Sequence, residues 1–107
     1  MTSAQVIAPR KFPPWGDKEI ARFQFRTALF RRRGIPEGYA DELADRLFER
    51  DFEGDDRRMC LECKHLQRTG ACFAAAQGWM PANFSRRHEP VRDLLQRCEC
   101  FDWQKPA

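Results

Sequence analysis

Five cysteines in a chain of 107 residues constrain this sequence more than any other feature. Three of them lie in CLECKHLQRTGACF, residues 60–73, with the spacing C-x2-C-x8-C, and a pair, CEC, follows at Cys98 and Cys100. A chain this short buries only a modest core, so it often needs a disulfide or a metal ion to hold its fold together. The cysteines are the first candidates for that role.

The sequence favours a metal over disulfides. Residues 1–16 lack the apolar segment of a secretory signal, and the longest apolar run is the six-residue ACFAAA at 71–76. We therefore expect a cytoplasmic protein without a membrane segment. Structural disulfides are rare in the reducing cytosol, and an odd number of cysteines fits a disulfide framework poorly.

The cysteine spacing predicts one structural Zn²⁺. Two cysteines separated by two residues can reach the same ion, as Cys60 and Cys63 would, and a glycine turn brings Cys72 back as a third ligand. The fourth is Cys98 or Cys100, and we favour Cys98 because it ends the last predicted helix. The predicted ligand set is Cys60, Cys63, Cys72 and Cys98.

Other readings of these residues stay open. His65 and His88 are rival ligands, and a redox dithiol or an iron-sulfur cluster would also use clustered cysteines. A closed four-thiolate site has no open position for substrate, and the sequence contains none of the common hydrolase, deaminase or phosphate-loop motifs. We therefore expect no enzymatic activity and no small-molecule substrate.

The fold is predicted to be mainly α, in one compact domain. Residues 1–16 read as an extended arm, residues 17–56 as a helical hairpin, and residues 57–107 as a small zinc-binding module of short helices and loops, with a short helix from Ala74 and a last one over 90–98.

The hairpin helices have different predicted inner faces and opposite charges. The first begins with Asp17 as N-cap and ends at Gly34, and it places Ile20, Phe23, Thr27 and Phe30 on one face. The second begins near Pro36, and its inward stripe contains Tyr39 or Ala40, Leu43, Ala44, Leu47 and Phe48.

The two helices carry opposite charges. Residues 10–33 hold eight basic residues against two acids, whereas residues 37–56 hold nine acids against two basic residues. The two runs would attract each other across the hairpin.

The run YADELADRLFERDFEGDDRRMCLECKHL, followed by GACFAA and LLQRCECF, resembles a group of short, largely uncharacterised proteins and modules of proteobacterial plasmids, integrating elements and prophages. The shared line is LADRL..RD...DDRR.C.EC..L, and the resemblance covers residues 39–101. It matches Cys60, Cys63, Cys72 and Cys98, whereas Cys100 falls where that pattern needs no cysteine. The resemblance implies a mobile genetic element as the setting, without an established activity.

Basic and aromatic residues interleave around the predicted metal site, as phosphate contacts and base stacking require. We therefore predict a DNA- or RNA-binding zinc protein, although the arginines that end the first helix would also suit a solvated helix terminus. The alternative is an adaptor or inhibitor, fixed by zinc, that binds a larger replication, conjugation or host-defence complex. The predicted contact residues are Arg31, Arg32, Arg33, Arg57, Arg58, Lys64, Arg68, Arg86 and Arg87.

Overall fold

The computed structural model describes residues 15–105, and its regular secondary structure is helical. Helix α1 spans Asp17–Arg32 and helix α2 spans Glu37–Glu53; a 3-10 turn at Cys60–Glu62 and the short helix α3, Phe73–Ala76, follow. Residues 15–105 contain isolated β-bridges but no strand. The mainly helical fold with two packed helices is confirmed, whereas most of the predicted extended arm lies outside the described residues.

The ends of both hairpin helices follow from local sequence. Gly34 has a φ of 91°, a left-handed conformation that a side chain would strain, and it lies just after the C-cap residue of α1, as predicted. Pro36 is the N-cap of α2, where its missing N–H costs no helical hydrogen bond. The predicted N-cap of α1 is off by one residue, because Gly16 holds that position and its N–H donates to Glu19 Oε1 at 2.9 Å.

The core joins the hairpin to the first cysteine pair. On α2 the predicted stripe is confirmed, since Ala40, Leu43, Ala44 and Leu47 are all buried. On α1 the predicted face is wrong at its start, because Ile20 is 42% exposed and the buried residues are Arg26, Leu29 and Phe30. Met59 and Leu61, which flank Cys60, are fully buried in the same cluster. The hairpin and the cysteine region therefore share one core.

The predicted helix over residues 90–98 does not form. Its backbone bonds elsewhere: Arg58 and Gln96 exchange two hydrogen bonds of 2.8 and 2.9 Å, and the Leu61 N–H donates to the Arg92 carbonyl at 3.0 Å. These contacts hold the segment against the cysteine turn in an irregular conformation. Val91 and Leu94, predicted to face inward, are exposed instead.

Candidate metal and nucleic-acid sites

All five cysteines line a single small cavity of about 20 Å³. The 3-10 turn presents the first two, and its Cys63 N–H donates to the Cys60 carbonyl at 2.9 Å. A β-bridge between Leu66 and Cys72 closes the following loop, at whose tip Gly70 has a φ of 94°. The remaining two cysteines come from the C-terminal segment that packs back on this turn. The structure therefore brings the four predicted ligands to one cavity, together with Cys100.

Several N–H groups are directed at these sulfurs. Cys63 Sγ accepts from the backbone N–H groups of His65 at 3.4 Å and Asp102 at 3.5 Å. Cys60 Sγ accepts from Gln96 Nε2 at 3.6 Å. Such donors stabilise negative charge on sulfur, which is the form that binds a metal. This donor set fits a thiolate metal site.

Burial, and after it the neighbouring thiols of Cys63, Cys98 and Cys72, raise the pKa of the Cys60 thiol to about 12. Burial also raises the pKa of Cys63 and of Cys98. Thiols packed this closely stay protonated unless a cation compensates their charge, so a metal ion would displace protons on binding.

Cys98 and Cys100 both line the cysteine cavity but make different contacts, and the Cys98 thiol lies 3.9 Å from Met80 Sδ. The charge of Cys98 acts on Cys60 and Cys63, whereas the Cys100 thiol donates a hydrogen bond to the Trp79 carbonyl at 3.4 Å. Within residues 15–105, however, no group of three or more His, Cys, Asp or Glu side chains has the arrangement of a metal site. The sulfurs would have to draw closer around an ion.

The two histidines lie among aromatic rings. His65 lines the cysteine cavity, and its ring stacks on Phe73 at 6.2 Å and meets the edge of Trp79 at 5.8 Å. The ring of His88 lies 5.0 Å from that of Phe84. Within residues 15–105, neither imidazole ring makes a hydrogen bond to a cysteine sulfur.

Four arginines line a second cleft, of about 370 Å³, which we call the arginine cleft. Arg32 and Arg33 come from the end of α1, Arg68 from the loop after the first cysteine pair, and Arg92 from the C-terminal segment. Among residues 15–105, no carboxylate lines it. Its lining residues are Arg32, Arg33, Gly34, Leu66, Gln67, Arg68 and Arg92.

The charges in the arginine cleft repel one another. Burial is the main cause of a lowered pKa at Arg33; nearby Cys63 opposes it, and the positive charges of Arg32 and Arg92 add to it. Arg92 Nη1 donates to the Arg33 carbonyl at 2.9 Å, which holds these two arginines side by side. Arg92 was not among the predicted contact residues, and it lies in the segment predicted as a helix that does not form.

The other predicted contact residues do not line this cleft. Arg57 Nη2 lies 2.7 Å from Asp55 Oδ2, and Lys64 Nζ lies 2.9 Å from Asp102 Oδ2. Arg31 is exposed at the end of α1.

The remaining three make different contacts. Arg58 lies over the Trp103 ring, with its guanidinium carbon 4.9 Å from the ring centroid. Arg86 Nη1 donates to the Ala76 carbonyl at 3.4 Å, and Arg87 is exposed. The nine basic residues therefore do not form one surface.

A buried ionic cluster lies between the hairpin and the 3-10 turn, and the sequence analysis did not predict it. Arg50, 2% exposed, donates to Glu62 Oε2 at 2.5 Å and to Asp51 Oδ1 at 2.7 Å. Arg26 donates to Asp51 Oδ2 at 2.7 Å, which links α1 to α2. Burial alone would lower the pKa of Arg50, but the hydrogen bond and charge of Glu62 outweigh it and raise that pKa. Arg50 therefore keeps its positive charge, and the predicted attraction between the helices is confirmed at Asp51.

No protein-family model matches this chain, and neither a curated protein nor a solved structure is significantly similar to it. Among residues 15–105, no helix is both long enough and apolar enough to cross a membrane.

Proposed function

We propose that this chain is a non-enzymatic nucleic-acid-binding protein whose arginine cleft contacts the phosphate backbone. The observation that carries the proposal is the grouping of four guanidinium groups around one cleft without a lining carboxylate. Four arginines outside the cleft are paired with acids: Arg26, Arg50, Arg57 and Arg97 all lie within 2.8 Å of a carboxylate oxygen. An anion with several oxygens would relieve the repulsion in the cleft, and planar guanidinium groups match phosphate well.

The scaffold under this cleft is proposed to contain one structural Zn²⁺, held by Cys60, Cys63, Cys72 and Cys98. A zinc ion bound there would cross-link the 3-10 turn, the following loop and the C-terminal segment, which adds stability to a small core. The convergence of the thiols on one cavity and the N–H groups directed at Cys60 and Cys63 support this assignment. With four thiolates the ion has no open position, so it would stabilise the fold without catalysis.

Fluorescence anisotropy with labelled 20-nucleotide single strands and duplexes tests the binding function. A site that contacts four phosphates of a single strand should lose about 50-fold in affinity between about 50 and 200 mM salt. The variant Arg32→Ala/Arg68→Ala should weaken binding and flatten this dependence, because each lost phosphate contact lowers the logarithmic salt slope by about 0.7.

The matched control is Arg57→Ala/Arg97→Ala, which removes the same charge from arginines that are already paired with Asp55 and Asp56. It should bind almost as the parent protein does. Equal losses in both double variants would refute the cleft as the binding surface, and no binding at 50 mM salt by folded, metal-loaded protein would refute the function.

A second candidate is the protein-interaction adaptor, favoured by exposed apolar side chains on the C-terminal half. Trp79, Val91 and Leu94 are 57%, 61% and 52% exposed. Exposed apolar groups of this size are typical of protein-binding surfaces. If nucleic acids do not bind, replacing Val91 and Leu94 by serine in a pull-down from the host cell is the measurement that tests this alternative. The mobile-element setting stays a prediction under either candidate.

A further inference from the structure

A groove of about 400 Å³ runs beside α1, and it is separate from the cysteine cavity and from the arginine cleft. One wall is a single face of α1, whose lining positions are spaced three and four residues apart. The floor contains two acids of the buried ionic cluster, and the opposite wall is the C-terminal segment. Its lining residues are Arg22, Phe25, Arg26, Leu29, Asp51, Glu62, Trp103 and Gln104. We call it the α1 groove.

One oxygen at the floor of the groove lacks a hydrogen-bond donor. Glu62 is 3% exposed, and its Oε2 accepts from Arg50 Nη1 at 2.5 Å and from the Met59 N–H at 2.9 Å. Its Oε1 is buried and accepts no hydrogen bond from residues 15–105. Arg26 Nη2 lies 3.8 Å from this oxygen, too far for a hydrogen bond. Buried carboxylate oxygens almost always have a donor, so the missing one is expected from an occupant of the groove.

The residues that line the walls indicate the shape and charge of the group that would bind in the groove. Phe25, Leu29 and the 41% exposed Trp103 line the groove with apolar and aromatic surface for a flat group. The guanidinium carbons of Arg58 and Arg50 lie 4.9 and 5.7 Å from the Trp103 ring centroid, so a flat group would meet the part of the ring that they leave exposed. The cluster around the groove contains three arginines, Arg22, Arg26 and Arg50, against the two acids at the floor, which leaves one uncompensated positive charge. Arg22 lies 3.7 Å from Asp51 Oδ2 and is about half exposed, so its guanidinium group can also face an anionic group at the rim.

An N–H donor, a flat ring and one negative charge together describe a nucleotide. We propose that the α1 groove receives one unpaired base of a single-stranded nucleic acid. The exocyclic amino group of the base donates to Glu62 Oε1, the ring contacts Trp103, and a phosphate lies near Arg22. A groove of this volume is within the range of small-ligand sites, and contact with an unstacked base requires a single strand.

The groove and the arginine cleft lie along the same helix. Leu29 of the groove and Arg33 of the cleft are one turn apart, and Arg33 Nη2 lies 3.5 Å from Oε1 of Gln104, which also lines the groove. From Arg22 to Arg32 the helix rises about 15 Å, a distance that two or three nucleotides span. One strand can therefore place a base in the groove and its following phosphates in the cleft, so this inference rests on the proposed function.

Base preference tests the inference. Cytosine and adenine carry an amino group where thymine carries a carbonyl oxygen, which a carboxylate repels. Six-nucleotide strands of dC or dA should bind the metal-loaded full chain about tenfold more tightly than a strand of dT, as expected for one buried hydrogen bond to a charged acceptor. Trp103→Ala should weaken dC and dA binding by about tenfold through lost stacking. Glu62→Gln, if it folds, should abolish the preference.

The cleft variant Arg32→Ala/Arg68→Ala is the control that separates the two proposals. It should weaken all three strands by the same factor and leave the base preference intact. Equal affinity for dT, dC and dA, or an unchanged affinity of Trp103→Ala, overturns the base site while phosphate binding survives. No binding of any strand at low salt overturns the proposed function and, with it, the base site. If the groove holds only water, the three strands should bind equally well and Trp103→Ala should bind as the parent protein does.

Discussion

The buried pair of Arg50 and Glu62 gives the sharpest test of how this fold is held together. Both side chains are almost completely inaccessible, at 1% and 3% exposure, and they join α2 to the 3-10 turn that carries the first cysteines. Removing one member leaves an unpaired charge in the interior, which costs about 3 to 5 kcal/mol.

The local contacts set the size of each effect. In Glu62→Gln the Arg50 guanidinium still has the Asp51 carboxylate as a partner, at 2.7 Å. The loss in the free energy of unfolding should therefore lie near the lower end of that range, at about 3 kcal/mol. In Arg50→Met the Glu62 carboxylate keeps only the Met59 N–H as a donor, and we expect a similar cost of about 3 kcal/mol. The double variant leaves no unpaired charge, so it should cost less than either single variant and far less than their sum of about 6 kcal/mol.

Urea denaturation of the metal-loaded protein at pH 7, followed by tryptophan fluorescence, measures these costs. With a slope of about 1 to 1.5 kcal/mol per molar for a chain of this size, each single variant should lower the midpoint by about 2 to 3 M. The matched control is Asp56→Asn, which breaks the exposed pair with Arg97 at a comparable 2.8 Å and should leave the midpoint unchanged within error.

Two results would refute the reasoning. If the costs of the single variants add in the double variant, the two charges do not depend on each other. If either single variant shifts the midpoint by no more than Asp56→Asn does, the pair is hydrated in solution and the cluster does not connect the hairpin to the turn.

Three further outcomes are expected. Metal analysis of purified protein should find about one zinc per chain, lost in Cys72→Ser and retained in Cys100→Ser, since only the former is a proposed ligand; equal zinc in both would exclude Cys72 from the ligand set. The hydrogen bonds from arginine outweigh burial and lower the pKa of Asp51, so its stabilisation is present above about pH 4 and lost as the pH falls through the lower folded value. When the pH is lowered below about 4, the urea midpoint of the parent protein should therefore fall, and that of Asp51→Asn should fall less. Identical dependence of the midpoint on pH in the two proteins would contradict this. Finally, Leu47→Ala should cost about 3 kcal/mol because it empties a fully buried position, whereas Ile20→Ala, at a 42% exposed position, should cost about 0.5 kcal/mol; similar costs would refute the assignment of the α1 face.

The sequence by itself determined the features that depend on local chemistry. The period of apolar residues fixed the buried stripe of α2 from Ala40 to Leu47, and Gly34 and Pro36 fixed the turn between the helices, because each of these residues restricts its own backbone. The cysteine spacing indicated that these thiols would meet, and all five line one cavity, whereas the choice of Cys98 over Cys100 as a ligand stays a prediction.

Only the tertiary structure decided the features that depend on partners distant in sequence. Arg26 is buried on α1 in place of Ile20 because Asp51, 25 residues later, neutralises its charge. The segment over residues 90–98 is not helical because its backbone groups are bonded to Arg58 and Leu61, a competition that apolar periodicity does not record. The arginine cleft and the open oxygen of Glu62 arise in the same way, from side chains that local sequence gives no reason to place together.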